Sequence, residues 1–504
     1  MASQKHKTSG NSILRAIFVA LSFLLQLGWL LVQVLALNNS PYIAAITHLI
    51  AVVAVLRLYS KPTNGAYKLP WIMLMMAMPI MGLSLYLLTQ GALTTKATAK
   101  RLQSMKQRIG PYLENEEIPR GLNPEEVNLA KYLRNYEGMP AWGETEAKYY
   151  GETLDALGDM KRDLEQAEKF IFMEYFILED GEAFRQLREI LERKAAEGVE
   201  VRLMYDDLGS IGTTSWRYAL ELNKAGIQCK AFNPALPFLN LFLNNRDHRK
   251  ITVIDGKVGY TGGYNLADEY FHYKTLYGDW KDTGLRLEGR AVRNLTATFL
   301  ELWNVNTRTE ENVADYLNID HRMEANGAVQ PFGDSPLDGE RSAENVYLNI
   351  ISQAKEYVWI MTPYLIITDE LSRALTLAAK RGVDVRLITP GIPDKKTVWA
   401  VTRSYYATLV RDGVRIFEYA PGFCHGKMCV SDGAVASIGT SNLDYRSLYL
   451  HFENNVVLYR CDAVRQMEAD FREMFPVCRE MTGEYRSVTL RTWQCILRLF
   501  APLL

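Results

Sequence analysis

One short pattern occurs twice in this chain and constrains its fold more than any other feature. The first copy reads His248-Arg-Lys250-Ile-Thr-Val-Ile-Asp255, and the second reads His425-Gly-Lys427-Met-Cys-Val-Ser-Asp432. Both are H-x-K-x4-D, and a Gly-x-x-Asn sequence follows each aspartate at the same offset, ending at Asn265 and at Asn442. Packing alone rarely places five chemical residue types in the same register twice. The sequence therefore predicts one active site that is built from two copies of a half-site.

The residues around both motifs repeat the order strand, helix, strand. In the first half, residues 169–177 and 199–205 are typical of strands, with apolar residues at helical spacing between them. In the second half, residues 357–361 and 383–388 are the corresponding strands. This alternation predicts an α/β fold with two pseudo-symmetric halves, each a mixed, largely parallel sheet flanked by helices. Gly, Pro and Asp cluster near residues 326–340, so we expect the halves at residues 140–325 and 326–486.

Each motif combines a strand with a tight turn. Because side chains alternate along a strand, the histidine and the lysine of a motif share one face. An Asp-Gly pair then turns the chain at Asp255 and at Asp432. An aspartate before glycine is usually a turn residue, so a structural role is favoured for these two, although all six motif residues are candidates for the catalytic set.

Two histidines, two lysines and two asparagines would form a cationic pocket that is rich in hydrogen-bond donors, as a phosphodiester requires. The lysines would neutralise the phosphoryl oxygens, and the amides of Asn265 and Asn442 would donate further hydrogen bonds. One imidazole can attack phosphorus, while the other protonates the leaving alkoxide and later deprotonates the incoming hydroxyl. The sequence alone does not say which histidine has which role.

A nucleophilic histidine needs its second ring nitrogen oriented by a hydrogen-bond acceptor. Glu453 follows His425 along the chain, and Asp282 occupies a comparable place after His248. These two carboxylates are the candidate histidine-orienting residues.

The first ninety residues are more apolar than the rest, with uncharged or nearly uncharged runs at residues 16–37, 42–56 and 69–88. The first run is long enough to cross a bilayer, and further apolar runs follow it, so an uncleaved anchor is favoured over a signal peptide. If residues 69–88 enter the membrane and return, or lie in its interface, every basic cluster faces the cytoplasm, which obeys the positive-inside rule better than three full spans. We expect two to three membrane helices within residues 1–90, a linker at 91–139 and a cytoplasmic catalytic region.

Residues 487–504 combine apolar and basic side chains and predict an amphipathic C-terminal tail, either resting on a membrane or docked on the core of its own domain. The formal net charge of −1 gives no sign of a polyanion-binding surface, so no nucleic-acid partner is expected. The 6 cysteines are too sparse for a disulfide framework, and their lack of C-x2-C spacing argues against a structural zinc site.

The motif residues resemble the phospholipase D superfamily, whose mark is a duplicated H-x-K-x4-D-x6-G-x-x-N pattern, and the resemblance covers about residues 140–485. Residues 245–251, 262–270, 440–447 and the apolar run ending at 79–88 are similar to those of bacterial cardiolipin synthases. The resemblance implies two phosphatidylglycerols as substrates, cardiolipin and glycerol as products, a phosphatidyl-histidine intermediate, and no metal or cofactor. By analogy, it makes His248 the nucleophile and His425 the general acid and base.

The chain departs from the family pattern at one position, because Gly263 stands where a serine is usual. The hydroxyl in the second half is kept as Thr440, which we expect to bind phosphate together with Asn265 and Asn442. The sequence thus predicts a membrane-bound phosphatidyltransferase of the bacterial cell membrane, with phosphatidylglycerol and membrane phospholipid as its partners. The alternative is a phospholipase D-type hydrolase of phospholipids or of another phosphodiester, since no motif decides whether water or a lipid hydroxyl is the acceptor.

Overall fold

The computed structural model describes residues 41–61, 64–90, 92–114, 118–215, 217–234, 245–308, 311–482, 492–494 and 497–499, with seven further residues between 21 and 35. Its α-helices are Pro41–Tyr59, Gly65–Ala77, Pro79–Gln90, Ala92–Leu113, Pro124–Glu137, Thr153–Glu165, Glu182–Ala196, Tyr218–Lys224, Val292–Thr307, Ala314–Leu317, Ser342–Gln353, Asp369–Lys380, Lys396–Arg411, Tyr445–Tyr449 and Asp462–Met474.

The strands of the two halves follow one another along the chain. They are β1 Thr145–Tyr150, β2 Phe170–Tyr175, β3 Glu200–Asp206, β4 Gln228–Phe232, β5 Lys250–Ile254, β6 Val258–Gly262, β7 Asp279–Lys281, β8 Gly284–Gly289, β9 Ala328–Asp334, β10 Tyr357–Met361, β11 Asp384–Pro390, β12 Arg415–Tyr419, β13 Gly422–Cys424, β14 Met428–Ser431, β15 Val435–Gly439, β16 Glu453–Tyr459 and β17 Cys478–Met481.

Two large sheets have the same design. The first has the strand order β1-β8-β6-β5-β2-β3-β4, and the second has the order β9-β16-β15-β14-β10-β11-β12, with β17 added at its edge. Every strand of the first sheet therefore has a counterpart in the second, and the motif strands β5 and β14 hold equivalent places. The predicted pair of α/β halves with mixed sheets and flanking helices is confirmed.

The expectation of largely parallel sheets is wrong. In each half only the three strands joined by helical crossovers run parallel, namely β2-β3-β4 and β10-β11-β12. The remaining pairs are antiparallel. The reason lies in the motifs, since an Asp-Gly turn can only return the chain beside the strand that it has just left.

The two halves join through backbone contacts at their motifs. Strands β7 and β13 pair in parallel across the junction. The backbone N–H of His248 donates to the carbonyl oxygen of Phe452 at 2.9 Å, and that of His425 donates to the carbonyl oxygen of Lys281 at 2.7 Å. Each motif histidine is thus held by main chain of the other half, so the seam between the halves fixes the site.

The segment at residues 91–139, predicted as a linker, is instead part of the folded domain. Helix Ala92–Leu113 packs against helix Val292–Thr307, and its Leu102, Met105, Ile109 and Leu113 are buried. These four residues recur at helical spacing and form one apolar stripe, which the many charges of the segment concealed. Helix Pro124–Glu137 begins with a capping box at Asn123 and packs on β9.

The apolar N-terminal region contains a tight helical hairpin. The predicted run at residues 69–88 is broken at Met78 into the helices Gly65–Ala77 and Pro79–Gln90. A Cβ atom at Gly82 would lie only 2.6 Å from the Cα of Met75, so the helices approach as closely as glycine allows. Among the described residues, no helix combines the length and the apolar content that crossing a membrane requires. The predicted span at 16–37 lies largely outside the described residues.

The described part of the C-terminal tail lies against the domain. Gln494 is buried, Leu497 packs on the main hydrophobic core, and the guanidinium of Arg498 lies 4.0 Å from the centre of the Tyr405 ring. Trp493 is 54% exposed. Of the two alternatives for the tail, these contacts favour docking, with one large aromatic side chain left facing outward.

Candidate active site

Both motif histidines line one cavity of about 490 Å³ at the seam between the halves. Asn265 and Asn442 line the same cavity. Each histidine comes just before its motif strand, where the chain enters the sheet, so the duplicated strands bring two imidazoles to one cavity. The volume falls in the range of small-ligand sites.

The imidazole of His248 is oriented by Glu453. Its Nδ1 lies 2.9 Å from Oε2 and 3.0 Å from Oε1 of that carboxylate. Because an ionised carboxylate only accepts, Nδ1 carries the proton and Nε2 keeps its lone pair. Within the described part of the chain, no hydrogen bond reaches Nε2 of His248, which leaves this nitrogen available to a substrate.

The imidazole of His425 has a carboxylate partner of the same kind and an additional cation. Its Nδ1 lies 2.7 Å from Oδ2 of Asp282. The ammonium of Lys427 approaches both ring nitrogens, at 2.8 Å from Nδ1 and 2.9 Å from Nε2. The ring of His425 is therefore in contact with a lysine ammonium group, which the ring of His248 is not.

The two orienting carboxylates are exchanged between the halves. The sequence places Glu453 after His425 and Asp282 after His248, but each carboxylate contacts the histidine of the other half. The cause is the seam, where the segment ending at Phe452 runs beside the first motif and the segment ending at Lys281 runs beside the second. Neither half-site is complete without the other half.

Both motif lysines are fully buried and lie beside their histidines rather than on the cavity wall. The ammonium of Lys250 donates to the carbonyl oxygen of His248 at 2.7 Å, and that of Lys427 donates to the carbonyl oxygen of His425. Burial lowers the pKa of Lys250 to about 8 and that of Lys427 to about 7, against the pull of nearby carboxylates. From this position, behind the imidazoles, their charge could stabilise an anion in the cavity.

The surroundings keep both imidazoles neutral. Burial, followed by the charges of Lys250 and Lys427, holds the pKa of His248 well below its usual range. Burial and Lys427 lower the pKa of His425 to about 4, although Asp282 opposes the shift. The contacts with His425 and Lys427 outweigh burial at Asp282 and lower the pKa of its carboxyl. An anionic phosphodiester in the cavity would raise the pKa of the imidazoles again.

The motif aspartates tie strands together. The carboxylate of Asp255 accepts hydrogen bonds from three consecutive backbone N–H groups, ending at Phe170, at 2.7 to 2.8 Å. Asp432 does the same for three N–H groups ending at Tyr357, at 2.8 to 2.9 Å. Both aspartates have a left-handed φ of 52°. These contacts support the structural role that the Asp-Gly turns favour.

The two asparagines differ in their remaining hydrogen-bonding capacity. The side chain of Asn265 accepts from the N–H of Ile177 and donates to the hydroxyl of Tyr270, so it is partly engaged by the protein. The Oδ1 of Asn442 is buried without a hydrogen-bond partner among the described residues. Asn442 is the one with an unused acceptor at the cavity.

Thr440 lies behind the cavity, where it supports Glu453 instead of facing a substrate. Its hydroxyl donates to the Glu453 carboxylate and accepts from the N–H of Asn454 at 2.9 Å. At the equivalent Gly263, a Cβ atom would come within 2.1 Å of Oδ1 of Asp282. The glycine at position 263, where the family usually has serine, thus has a steric reason: the carboxylate of Asp282 occupies the space that a side chain at this position would need.

Sequence reasoning missed most of the cavity wall except Arg446, which the sequence offers either as a phosphate or headgroup contact or as a surface salt bridge. On the His248 side the wall includes Phe176 and His451, whose ring centres lie 4.9 and 5.5 Å from that of His248. Arg446 lies beside them, with its Nε 3.4 Å from Nε2 of His451. Only its period-two spacing from Glu453 could have signalled His451. On the His425 side the wall is aromatic, with ring centres 5.2 to 5.9 Å from that of His425, contributed by Tyr270, Trp280 and Phe423.

One group of described side chains has donors close enough to hold a metal ion. These are His248, His451 and Glu453, whose donor atoms lie within 4.8 Å of one another. Glu453 already holds Nδ1 of His248, so a metal bound there would replace the hydrogen bond that sets the tautomer. The expected metal-free chemistry stays a prediction.

Comparison with known proteins identifies the family. The model of the cardiolipin synthase, PLD-like domain family matches residues 160–303 and 347–475. The chain belongs to this family. The predicted resemblance is confirmed, and the chain is an enzyme of the cardiolipin synthase type within the phospholipase D superfamily.

Individual relatives match over most of the family member's length. A cardiolipin synthase of Halalkalibacterium halodurans is 34% identical over 446 residues, covering 86% of this chain and 88% of its own. Cardiolipin synthase 2 of Bacillus anthracis is 39% identical over 358 residues, covering 70% and 69%. The phosphatidylserine synthase of Haemophilus influenzae superposes with a TM-score of 0.56 at 15% identity, covering 75% of this chain and 98% of that one, a likeness of fold.

Proposed function

We propose that this family member is a membrane-bound phosphatidyltransferase that joins two phosphatidylglycerols into cardiolipin and releases glycerol. One observation carries the proposal: both motif histidines line a single cavity, and each has its Nδ1 on a carboxylate from the other half. Such a pair offers a nucleophile and an acid-base group to one phosphorus atom. The relatives named cardiolipin synthase support the choice of reaction.

In the first step, Nε2 of His248 attacks the phosphorus of one phosphatidylglycerol. A phosphorus–nitrogen bond forms and the bond from phosphorus to the headgroup oxygen breaks. His425, doubly protonated because the bound phosphodiester raises its pKa, gives the proton on its Nε2 to that oxygen. Glycerol leaves, and the phosphatidyl group stays on His248. The free Nε2 of His248 and the contact between Lys427 and the ring of His425 support this division of roles.

In the second step, the headgroup hydroxyl of another phosphatidylglycerol replaces the glycerol. His425 takes the hydroxyl proton as the oxygen bonds to phosphorus, and the phosphorus–nitrogen bond breaks. Cardiolipin leaves, His248 regains its lone pair, and His425 is protonated for the next cycle. The buried ammonium groups of Lys250 and Lys427 stabilise the negative charge that grows on the phosphoryl oxygens in both steps.

Exposed apolar side chains beside the cavity, and a hydrogen bond between the N-terminal helices and the domain, support a membrane close to the site. Leu276 lines the cavity and is 47% exposed, and Ile392, 40% exposed, lies against Gly278 of the same loop. The start of the N-terminal helical hairpin contacts the domain where Asn64 donates to Glu370 at 3.3 Å. We propose that residues 1–90 carry the membrane helices, with 69–88 as a re-entrant hairpin, and that the halves at 140–325 and 326–486 lie on the cytoplasmic side of a bacterial membrane.

The decisive assay incubates the purified protein with acyl-labelled phosphatidylglycerol, with and without a chelator. Cardiolipin and an equal amount of free glycerol are expected in both cases. Phosphatidic acid as the only product would replace the transferase with a hydrolase of the phospholipase D type. Loss of activity with the chelator would contradict the metal-free mechanism and direct attention to His248, His451 and Glu453 as ligands.

The topology is tested separately with a reporter fused after Gln90. A cytoplasmic signal is expected if residues 69–88 return to the side from which they enter. A signal from the outer side would mean that this segment crosses the membrane, and the cytoplasmic placement would then be wrong.

A further inference from the structure

Two oppositely charged residues hold equivalent places in the two halves. Glu269 lies four residues after Asn265, and Arg446 lies four residues after Asn442. Both line the cavity. Duplication has therefore given the site an acidic end and a basic end, although the motif chemistry around them is symmetric.

The two ends belong to different histidines. Glu269 lies in the short 3-10 helix Asp268–Phe271, next to Tyr270, whose ring centre is 5.2 Å from that of His425. Arg446 contacts His451, which neighbours His248. In the proposed reaction the headgroup leaves and enters at the histidine that transfers the proton. Glu269 is thus at the headgroup end.

The carboxylate of Glu269 has unused hydrogen-bonding capacity. Apart from its own backbone N–H, no donor or ion-pair partner is found for it among the residues that the structure describes, and the nearby Lys274 pairs with Glu179 at 3.7 Å. The other cavity-lining carboxylates are engaged: Asp394 accepts the Tyr364 hydroxyl, and Asp444 caps the helix Tyr445–Tyr449. Burial raises the pKa of the Glu269 carboxyl, as expected of a carboxylate without compensating donors.

We propose that Glu269 selects the headgroup, by accepting a hydrogen bond from the hydroxyl next to the one that reacts. This inference rests on the proposed function and adds a specificity determinant to it. A glycerol headgroup has a hydroxyl on the carbon beside its reacting carbon, and a carboxylate is a strong acceptor for that group. An acceptor without this second hydroxyl leaves the half-buried carboxylate without that partner, and a site built to hydrogen-bond a hydroxyl discriminates against the analogue that lacks it.

The test compares two small acceptors that differ by this one hydroxyl, 1-propanol and 1,2-propanediol. The full-length protein is given acyl-labelled phosphatidylglycerol in mixed micelles with both alcohols at equal concentration, and the two phosphatidyl alcohols are quantified. The wild-type enzyme should favour the diol by at least about tenfold. In the Glu269→Gln variant this preference should fall about fivefold, the difference between a charged and a neutral acceptor, while transfer to 1-propanol continues.

The matched control is Glu189→Gln, which changes an exposed glutamate on helix Glu182–Ala196 and should keep the wild-type preference. Equal use of the two alcohols by the wild type, or an unchanged preference in Glu269→Gln, would overturn the inference. If Glu269→Gln transfers to neither alcohol, Glu269→Asp decides, because its shorter carboxylate should weaken the preference. A wild type that makes only phosphatidic acid would instead refute the proposed transferase itself.

Discussion

The two half-sites share a backbone and differ in their walls. Both histidines precede an equivalent strand, both have Nδ1 on a carboxylate of the other half, and both have a buried lysine beside them. Around His425 the wall has three aromatic rings and Lys427 contacts the imidazole. Around His248 the wall has one aromatic ring, Phe176, together with His451 and Arg446, and no described residue bonds to Nε2. The duplicated scaffold therefore sets the orientation of the imidazoles, and the loops that diverged after duplication set their roles.

The largest expected effect comes from removing either imidazole. His248→Ala and His425→Ala should each lower cardiolipin formation by at least about 10⁴-fold, because neither half-site completes the reaction alone. The two variants should separate with a p-nitrophenyl ester of phosphatidic acid, whose phenolate leaves without a proton. His425→Ala should still release a burst of p-nitrophenol, and His248→Ala should not.

His321→Ala is the control for these variants, since this histidine pairs with Glu288 at the surface and does not line the cavity. A burst from His248→Ala and none from His425→Ala would reverse the assigned roles. Retained cardiolipin synthesis in either variant would contradict the shared site.

The next largest effect is expected from replacing Glu453 or Asp282, the carboxylates that each orient the histidine of the other half. These variants test the contact between the halves directly. Glu453→Gln and Asp282→Asn should each lower kcat by about 10²- to 10⁴-fold, because an amide no longer fixes the tautomer of its histidine. With the p-nitrophenyl ester, Glu453→Gln should abolish the burst, since it disturbs His248 in the other half. Asp282→Asn should keep the burst. The opposite result would be expected if each carboxylate served the histidine of its own half, and observing it would refute the crossed arrangement.

These contrasts also mark how far the sequence alone could lead. The motifs predicted the two imidazoles and the lysines beside them, because strand alternation is a local property. The need of each imidazole for an acceptor led to Glu453 and Asp282 as the orienting candidates. The motifs did not predict that Glu453 serves His248, since that contact depends on how two halves meet across the seam. Apart from Arg446, the walls escaped prediction for the same reason, because loops that are distant in sequence supply them. Helix Ala92–Leu113 was missed because a narrow stripe of four buried residues carries its packing.

The two lysines offer a contrast in pH dependence. Lys427 has the lower pKa, about 7, and Lys250 has a pKa of about 8. As the pH rises through these values the free enzyme loses cations that stabilise the phosphoryl charge, so kcat/KM should fall on the alkaline side, first through Lys427. Lys427→Arg keeps its charge in this range and should remove the lower of the two alkaline transitions, at some cost in rate. An unchanged alkaline limb in this variant would show that another group titrates there.

The smallest expected effects compare the two positions that break the internal symmetry, Gly263 and Thr440. In Gly263→Ala the new methyl group meets Oδ1 of Asp282 at 2.1 Å, so the carboxylate must turn away from His425, and we expect a loss of about tenfold in kcat. Thr440→Val removes one donor to Glu453 but leaves its hydrogen bond to His248, so the expected loss is only about threefold to tenfold. Thr440→Val should act on the His248 half and slow the p-nitrophenol burst without abolishing it. Gly263→Ala should leave the rate of the burst unchanged and slow cardiolipin formation. Equal slowing of both reactions by both variants would mean that the half-sites respond as one rigid unit, and the division of roles between their walls would lose its support.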